Sequence, residues 1–250
     1  MKMSKLDLGY LVVSGLFFIV LWTLKIIEDL NIIAYHTWPV RILVPLYVGI
    51  TFIYNLIAPG IEKTKFISYA LLFAMLAETI NAADLDFGLL FFVVTHILLT
   101  IFHTKKTLDL KRVKVAENDI EWLQKYQQLQ RNSGIVFFIL FMVISVYIII
   151  NLHVHSLEYE LVVPIYLFIL SIMAWRSICT YGEEQSGRII LGSILFYICD
   201  VFILLELTAP NFDNPPLYML VISWLTYLPA LFLLSCIGKK IFMNKKYPNF

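Results

Sequence analysis

Eight apolar segments of helix length alternate with short polar segments along the chain. A helix that crosses a bilayer needs about 20 mostly apolar residues. By that criterion the pattern predicts eight helices, at residues 8–28, 38–58, 66–82, 86–104, 134–152, 159–181, 188–207 and 216–238. Several of the connections are short, which predicts antiparallel neighbours in a helical bundle.

The composition indicates the same class of protein. Of the 250 residues, 60% are hydrophobic and 15% are charged, and the mean hydropathy is +0.81. Such a chain is too apolar for a soluble domain, so we expect an all-α polytopic membrane protein. The first segment follows Lys2 and Lys5, as in a signal peptide. Its length and the lack of a small-residue cleavage site favour a first transmembrane helix.

Charge predicts the orientation of the bundle. If all eight segments span, only Lys25 and Arg41 among the 19 Lys and Arg residues lie on one side. Because basic residues collect on the cytoplasmic side, both termini are expected there. We therefore expect a multi-pass protein of the bacterial inner membrane. The net charge of +1 gives no reason to expect a nucleic acid partner.

The one long connection, residues 105–133, is expected to be a basic cytoplasmic loop. Within it, Asn118 is a candidate helix cap, and Trp122, Tyr126 and Leu129 share one helical face. This pattern indicates a short helix on the inner leaflet, or else a solvated connector without a role in chemistry.

The same loop divides the chain, residues 1–250, into two sets of four helices within one membrane domain. Both sets begin on the same side, so residues 1–104 and 134–238 are candidates for a parallel internal repeat.

Two acids stand inside predicted spans. Glu78 lies twelve residues into the third helix and Asp200 twelve into the seventh, which places both about 18 Å above the cytoplasmic boundary. Charged groups at this depth are rare and mark functional sites by default. Two facing carboxyls can share one proton, so one donates while the other accepts, as acid–base hydrolysis requires. The alternative is a protonated acid that only hydrogen-bonds a neighbouring helix.

Other polar side chains fall at a similar level. His96, Tyr166, Tyr227 and Asn81 are expected to converge on the two acids. Taken singly, a membrane Tyr is commonly a packing or interfacial residue, and a lone His a satisfied structural group.

Other chemistries find little support. The chain has no G-x-S-x-G, H-E-x-x-H or P-loop motif. His153 and His155 lie beside Glu158 in an outer loop, where a metal site competes with a plain solvated loop. The cysteines, which lack metal or disulfide spacing, are interpreted as small buried hydrophobes: Cys179, Cys199 and Cys236. We expect neither a metal nor a cofactor.

Short motifs distributed over residues 39–238 carry a resemblance to a known family. They are Ala77-Glu78, Gly88, Phe92 and His96, followed by Tyr166, Gly192-Ser193, Phe196, Cys199-Asp200 and Thr226-Tyr227. In these the chain resembles the YhhN-like eight-helix membrane proteins, which include lysoplasmalogenase. It departs from the family pattern at Glu78, where an Asp is usual, at Leu99 in place of a Tyr and at Leu231 in place of a Gln.

The resemblance implies hydrolysis of the vinyl ether bond of a lysoplasmalogen to a fatty aldehyde and a glycerophospho-alcohol. The implied partners are a lysophospholipid or ether-lipid substrate and the bilayer itself. Asp200 is the expected acid and Glu78 the expected base, although the roles could be reversed. His96, Tyr166 and Tyr227 would then orient water and the ether oxygen. Arg41 would meet the lipid phosphate, or else serve as an ordinary interfacial residue.

Two other classes remain open at this stage. A small-molecule or proton-coupled transporter also uses acids at the middle of the membrane. Against it, the helices that carry the acids are not broken by Gly or Pro, since Pro164 and Pro229 lie in other helices. A non-catalytic lipid-binding or structural protein is favoured if the acids are unpaired.

Overall fold

The computed structural model describes residues 5–29, 38–58, 65–81, 85–151, 157–183, 185–207 and 217–238, and these residues form eight α-helices without a strand. The helices are α1 (Lys5–Asp29), α2 (Trp38–Ile57), α3 (Lys65–Asn81), α4 (Leu85–Ala116), α5 (Ile120–Asn151), α6 (Leu157–Ile178), α7 (Ser186–Leu207) and α8 (Leu217–Ser235). The prediction of an all-helical fold with eight helices is confirmed for the described part. Helix boundaries agree within a few residues, except at the facing ends of α4 and α5.

The prediction of a long loop at residues 105–133 is wrong. Helix α4 continues to Ala116 and α5 begins at Ile120, so only residues 117–119 are non-helical. The segment holds no Pro or Gly, the strongest helix breakers, so both helices extend well beyond the ends of their apolar runs. Ion pairs one turn apart further support both helical ends, with Lys114–Glu117 at 2.8 Å and Lys125–Glu121 at 2.5 Å.

The turn between α4 and α5 is built around Asn118, whose φ is 56°. Asn tolerates this left-handed conformation better than most residues. The amides of Asn118 and Asp119 donate to the carbonyls of Val115 and Lys114, both at 3.1 Å, which closes the end of α4. The capping residue of α5 is Asp119, whose Oδ1 accepts the amide of Trp122 at 3.1 Å. The sequence therefore places the cap one residue too early.

The face that was expected to lie on the inner leaflet packs against protein instead. Tyr126 is buried, and Trp122 stacks on it with ring centroids 5.0 Å apart. The indole of Trp122 covers Gly182 in the α6–α7 turn, where an added Cβ would lie 3.2 Å from Nε1. Lys106 and Glu183 tie the same turn to α4 with an ion pair of 3.0 Å. The apolar face was identified correctly, but its partner was not.

Six of the helices pack in a ring, in the order α2, α3, α4, α6, α7, α8 and back to α2. Helix α1 packs outside the ring against α2 and α8, and α5 packs outside it against α6 and α4. The outward faces of α1 and α5 expose apolar side chains along most of their length, for example Leu16, Ile19, Val143 and Ile150. Large apolar surfaces of this kind are typical of contact with lipid.

Four helices of the described residues are long and apolar enough to cross a membrane. They contain Lys5–Leu24, Phe87–Ala116, Ile120–Ile150 and Ser186–Leu205. Shorter apolar stretches occur at Ile42–Ile57, Val162–Ile178 and Val221–Ser235. The number of spans and the side of each terminus remain predictions, as does the division into two parallel halves.

Small residues bring the ring helices close together. Ala70, Ala74 and Ala77 are fully or almost fully buried on α3, and Thr95 of α4 donates to the carbonyl of Ala70 at 3.3 Å. On α7, Gly192 lies directly against α8. This close approach matters because the polar side chains of the site come from different helices of the ring.

Candidate functional site

The centre of the site is the carboxyl of Asp200 on α7, which is 3% exposed. Its Oδ2 lies 2.6 Å from Nε2 of His96 on α4 and accepts a hydrogen bond of 2.5 Å from the hydroxyl of Tyr166 on α6. Nε2 and the Tyr166 hydroxyl are themselves 3.0 Å apart. Three helices therefore deliver three polar atoms to one buried point.

Both neighbours of Asp200 can donate to its carboxyl. Tyr166 donates its only proton to Oδ2, and His96 reaches the same oxygen when Nε2 carries a hydrogen. A protonated imidazole would add charge to the contact, and in either case Asp200 is the acceptor of the cluster.

Aromatic rings enclose the cluster. The ring of Phe196, one turn before Asp200 on α7, lies edge-on to His96 with centroids 5.0 Å apart. The same ring contacts Tyr227 of α8 at 5.7 Å and Phe92 of α4 at 6.5 Å. Because these rings exclude bulk water, polar interactions inside the cluster are stronger than at a surface.

Glu78, the second acid, lies at the edge of this group. It is the fourteenth residue of α3, as Asp200 is the fifteenth of α7, so the two acids occupy similar positions along their helices, and their equal depth in a membrane stays a prediction. Glu78 is partly buried, and its carboxyl interacts electrostatically with Asp200 and with the hydroxyl of Tyr227. Within the described residues the Tyr227 hydroxyl makes no full hydrogen bond. The second acid is therefore less well satisfied than the first.

The structure thus brings five of the predicted site residues into one region. His96, Tyr166 and Asp200 are in direct contact, and Glu78 and Tyr227 lie beside them. The side chains of Arg41 and Asn81 lie outside the described residues, and both remain predictions.

The possible metal ligands near the start of α6 are not described either: His153, His155 and the side chain of Glu158. Among the residues that are described, no cluster of three or more His, Cys, Asp or Glu side chains could hold a metal ion. The three cysteines are buried, as predicted, and form no disulfide within the described residues.

Sequence reasoning missed a second histidine on α4. His103 lies two turns beyond His96, is fully buried and contacts Ser193 of α7, with Nε2 and Oγ 3.2 Å apart. Ser193 in turn precedes Asp200 by two turns. The signal that could have found the pair is the common spacing of seven residues on both helices.

Comparison with known proteins agrees with the motifs. The model of the YhhN family matches residues 37–236, which is most of the chain. No curated protein and no solved structure matches it.

Proposed function

The chain belongs to the YhhN family, and we propose that it is a multi-pass membrane hydrolase of the lysoplasmalogenase type. Its substrate would be a lysoplasmalogen, and its products a fatty aldehyde and a glycerophospho-alcohol. The observation that carries the proposal is the buried carboxylate of Asp200, held by His96 and Tyr166 beside a second acid, Glu78.

The two acids are suited to different roles. Oδ2 of Asp200 accepts a hydrogen bond from Tyr166 and, when Nε2 carries a hydrogen, a second from His96, so this carboxyl is placed as an acceptor. The carboxyl of Glu78 is partly exposed and lies beside the hydroxyl of Tyr227, which makes no full hydrogen bond within the described residues, so this carboxyl is less committed as an acceptor. We therefore assign Glu78 as the acid and Asp200 as the base, the reverse of the order expected from the sequence.

The reaction then balances with these two groups and one water molecule. Glu78 transfers its proton to the vinyl carbon remote from oxygen, and the ether becomes an oxocarbenium ion that the carboxylate of Asp200 stabilises. Water adds to the cationic carbon and gives one proton to Asp200. The product of this addition is a hemiacetal. The hemiacetal hydroxyl returns a proton to Glu78, the carbon–oxygen bond to glycerol breaks, and Asp200 protonates the departing alkoxide.

Exposed apolar helices support a substrate from the bilayer. A lysolipid that lies in the membrane presents its vinyl ether just below the headgroup region, within an apolar surrounding. A buried acid pair between helices can reach such a bond from the lipid side, whereas a water-facing site cannot.

A transporter that uses the same acids is the competing proposal. A carrier needs polar access to its central site from both ends of the bundle. On the face of α4 that bears His96, the residues toward the start of the helix are Phe92 and Leu89, both apolar. This one-sided distribution supports the hydrolase.

The deciding experiment uses the purified full chain in lipid nanodiscs with an alkenyl-lysophospholipid, in H₂O and in D₂O. We expect a fatty aldehyde that, trapped at once, carries one deuterium on the carbon next to the carbonyl when formed in D₂O. The matched control is the saturated alkyl-lysophospholipid, which cannot be protonated at carbon and should give no product. Absence of aldehyde from the intact protein, or aldehyde without deuterium, would contradict the proposal.

A further inference from the structure

Helix α4 carries a line of polar residues that begins at His96 and continues beyond the acid–base site. After His96 come Thr100, His103, Thr107 and Lys111, at successive spacings of four, three, four and four residues. These spacings place all five on one face of the helix. We call them the polar stripe of α4.

Most of the stripe is buried. His96 and His103 have no exposed surface and Thr107 is 1% exposed. A polar line inside an apolar helix costs free energy unless each group finds a partner. Its burial therefore calls for a physical explanation.

The stripe repeats one type of contact with α7. His96 meets Asp200, and two turns farther along His103 meets Ser193. The two contacts are separated by about 10 Å along the helices. The polar interface between α4 and α7 thus extends well beyond the acid site.

The stripe then reaches the end of the bundle. The hydroxyl of Tyr126 on α5 lies near Thr107, and the ammonium of Lys111 lies 4.7 Å from the centre of the Tyr126 ring. This end holds the α4–α5 and α6–α7 turns, and we call it the basic end after its cationic side chains, which include Lys106, Lys111, Lys114, Arg176 and Arg188. Lys111 is only partly buried, so the stripe opens toward water here.

Four buried atoms along this route have no hydrogen-bond partner in the part of the chain that the structure describes. They are Nδ1 of His96, Nδ1 of His103, Oγ1 of Thr107 and the hydroxyl of Tyr126. The carbonyl of Met173 lies near His103, and the hydroxyl of Tyr126 lies near both Thr107 and Cys179, but none of these contacts has the geometry of a hydrogen bond. Unsatisfied buried polar atoms are rare, and internal water is their usual partner.

We propose that the polar stripe of α4 binds a file of internal water molecules and supplies water to Asp200 from the basic end. Hydrolysis consumes one water per turnover, while the apolar substrate enters from the lipid, so the two reactants need separate routes. The purpose of the water rests on the proposed function, whereas the existence of the path does not.

The path is tested first by cysteine labelling of the full chain in nanodiscs, with Cys179, Cys199 and Cys236 replaced by Ala. A small water-soluble methanethiosulfonate should add one adduct to Ser193→Cys and to Thr107→Cys. Phe102→Cys is the matched control, since Phe102 is equally buried on α4 but lies off the stripe. Size-exclusion elution and thermal melting confirm that each variant is folded. Labelling of folded Ser193→Cys and Thr107→Cys no faster than Phe102→Cys overturns the proposal.

A second test uses turnover. Thr107→Leu fills the route with an apolar side chain about 16 Å from the level of Asp200, and Thr107→Ser keeps a hydroxyl there. We expect kcat to fall about tenfold in Thr107→Leu with KM unchanged. Water is a reactant in the chemical step, whereas binding of the lipid does not require it. Thr107→Ser should behave as wild type. Full kcat in a folded Thr107→Leu overturns the water route.

The two proposals fail separately. If the wild-type chain releases no aldehyde, the hydrolase is wrong, but cysteine labelling still decides whether water enters along α4.

Discussion

The hydroxyl of Tyr166 lies 2.5 Å from Oδ2 of Asp200, so a phenol on α6 donates directly to a carboxyl buried on α7. The two residues are 34 positions apart in the chain and meet only because α6 and α7 are neighbours in the ring. The contact orients the carboxyl of Asp200. It is therefore the most informative bond to remove.

Tyr166→Phe keeps the ring and deletes this donor. A buried carboxylate that loses a hydrogen bond is destabilised by about 1–3 kcal/mol, so we expect a lower melting temperature and slower aldehyde release. Tyr197→Phe is the matched control, since Tyr197 of α7 is also buried and its hydroxyl makes no full hydrogen bond within the described residues. Equal losses in the two variants would show that the Tyr166 hydroxyl has no special role.

Replacing either acid by its amide should abolish turnover. Asp200→Asn removes the base and Glu78→Gln removes the acid, and each change should lower kcat by about 10²- to 10⁴-fold. Both amides are nearly isosteric, so expression and melting temperature should change little. Aldehyde release by folded protein is the measurement, and Asp109→Asn at the exposed end of α4 is the control. Full activity in either site variant would exclude that residue from the mechanism.

The acid site could be predicted because its residues conflict with their surroundings. Glu78 and Asp200 are conspicuous in apolar runs, and a charge at that depth is too costly to be incidental. For His96 and Tyr166 the sequence predicted only that they lie at a similar height to the two acids. Their contacts with Asp200 depend on which helices pack together. That information lies in tertiary packing and not in any one segment.

His103 shows where sequence reasoning stops. A histidine that contacts a serine looks, in sequence, like any polar residue near the end of a span. Its significance appears only once α4 and α7 are seen to place two polar contacts on one interface. The length of α4 was missed for another reason. Hydropathy shows where the apolar run ends, whereas the helix continues to Ala116 and stops at the turn around Asn118.

The α4–α5 turn gives a test that is independent of function. Because Asn118 has a left-handed φ, Asn118→Gly should be neutral or slightly stabilising, while Asn118→Val should cost about 1–2 kcal/mol. The cost should appear locally, as faster amide hydrogen exchange in the last turn of α4 and the first turn of α5. Equal exchange in the two variants would mean that residues 105–133 do not form two continuous helices in solution.

The contact between α7 and α8 can be tested at two glycines of one helix. An added Cβ at Gly192 would lie 3.2 Å from Cγ of Leu234 and 3.3 Å from Cβ of Leu233, whereas Gly187 has no heavy atom within 4 Å of such a Cβ among the described residues. Gly192→Ala should therefore make Leu233 and Leu234 shift by a few tenths of an ångström and cost about 1–3 kcal/mol. Gly187→Ala should be neutral or stabilise α7 by up to about 1 kcal/mol through helix propensity.

Thermal melting of the two variants in the same detergent measures this difference. Because Gly192 is on the helix that carries Asp200, its replacement should also lower kcat, while Gly187→Ala should leave turnover unchanged. A Gly192→Ala protein that melts at or above the temperature of Gly187→Ala would show that α7 and α8 do not approach as closely as described. The packing of α7 against α8 would then not account for the position of Asp200 beside His96 and Tyr166.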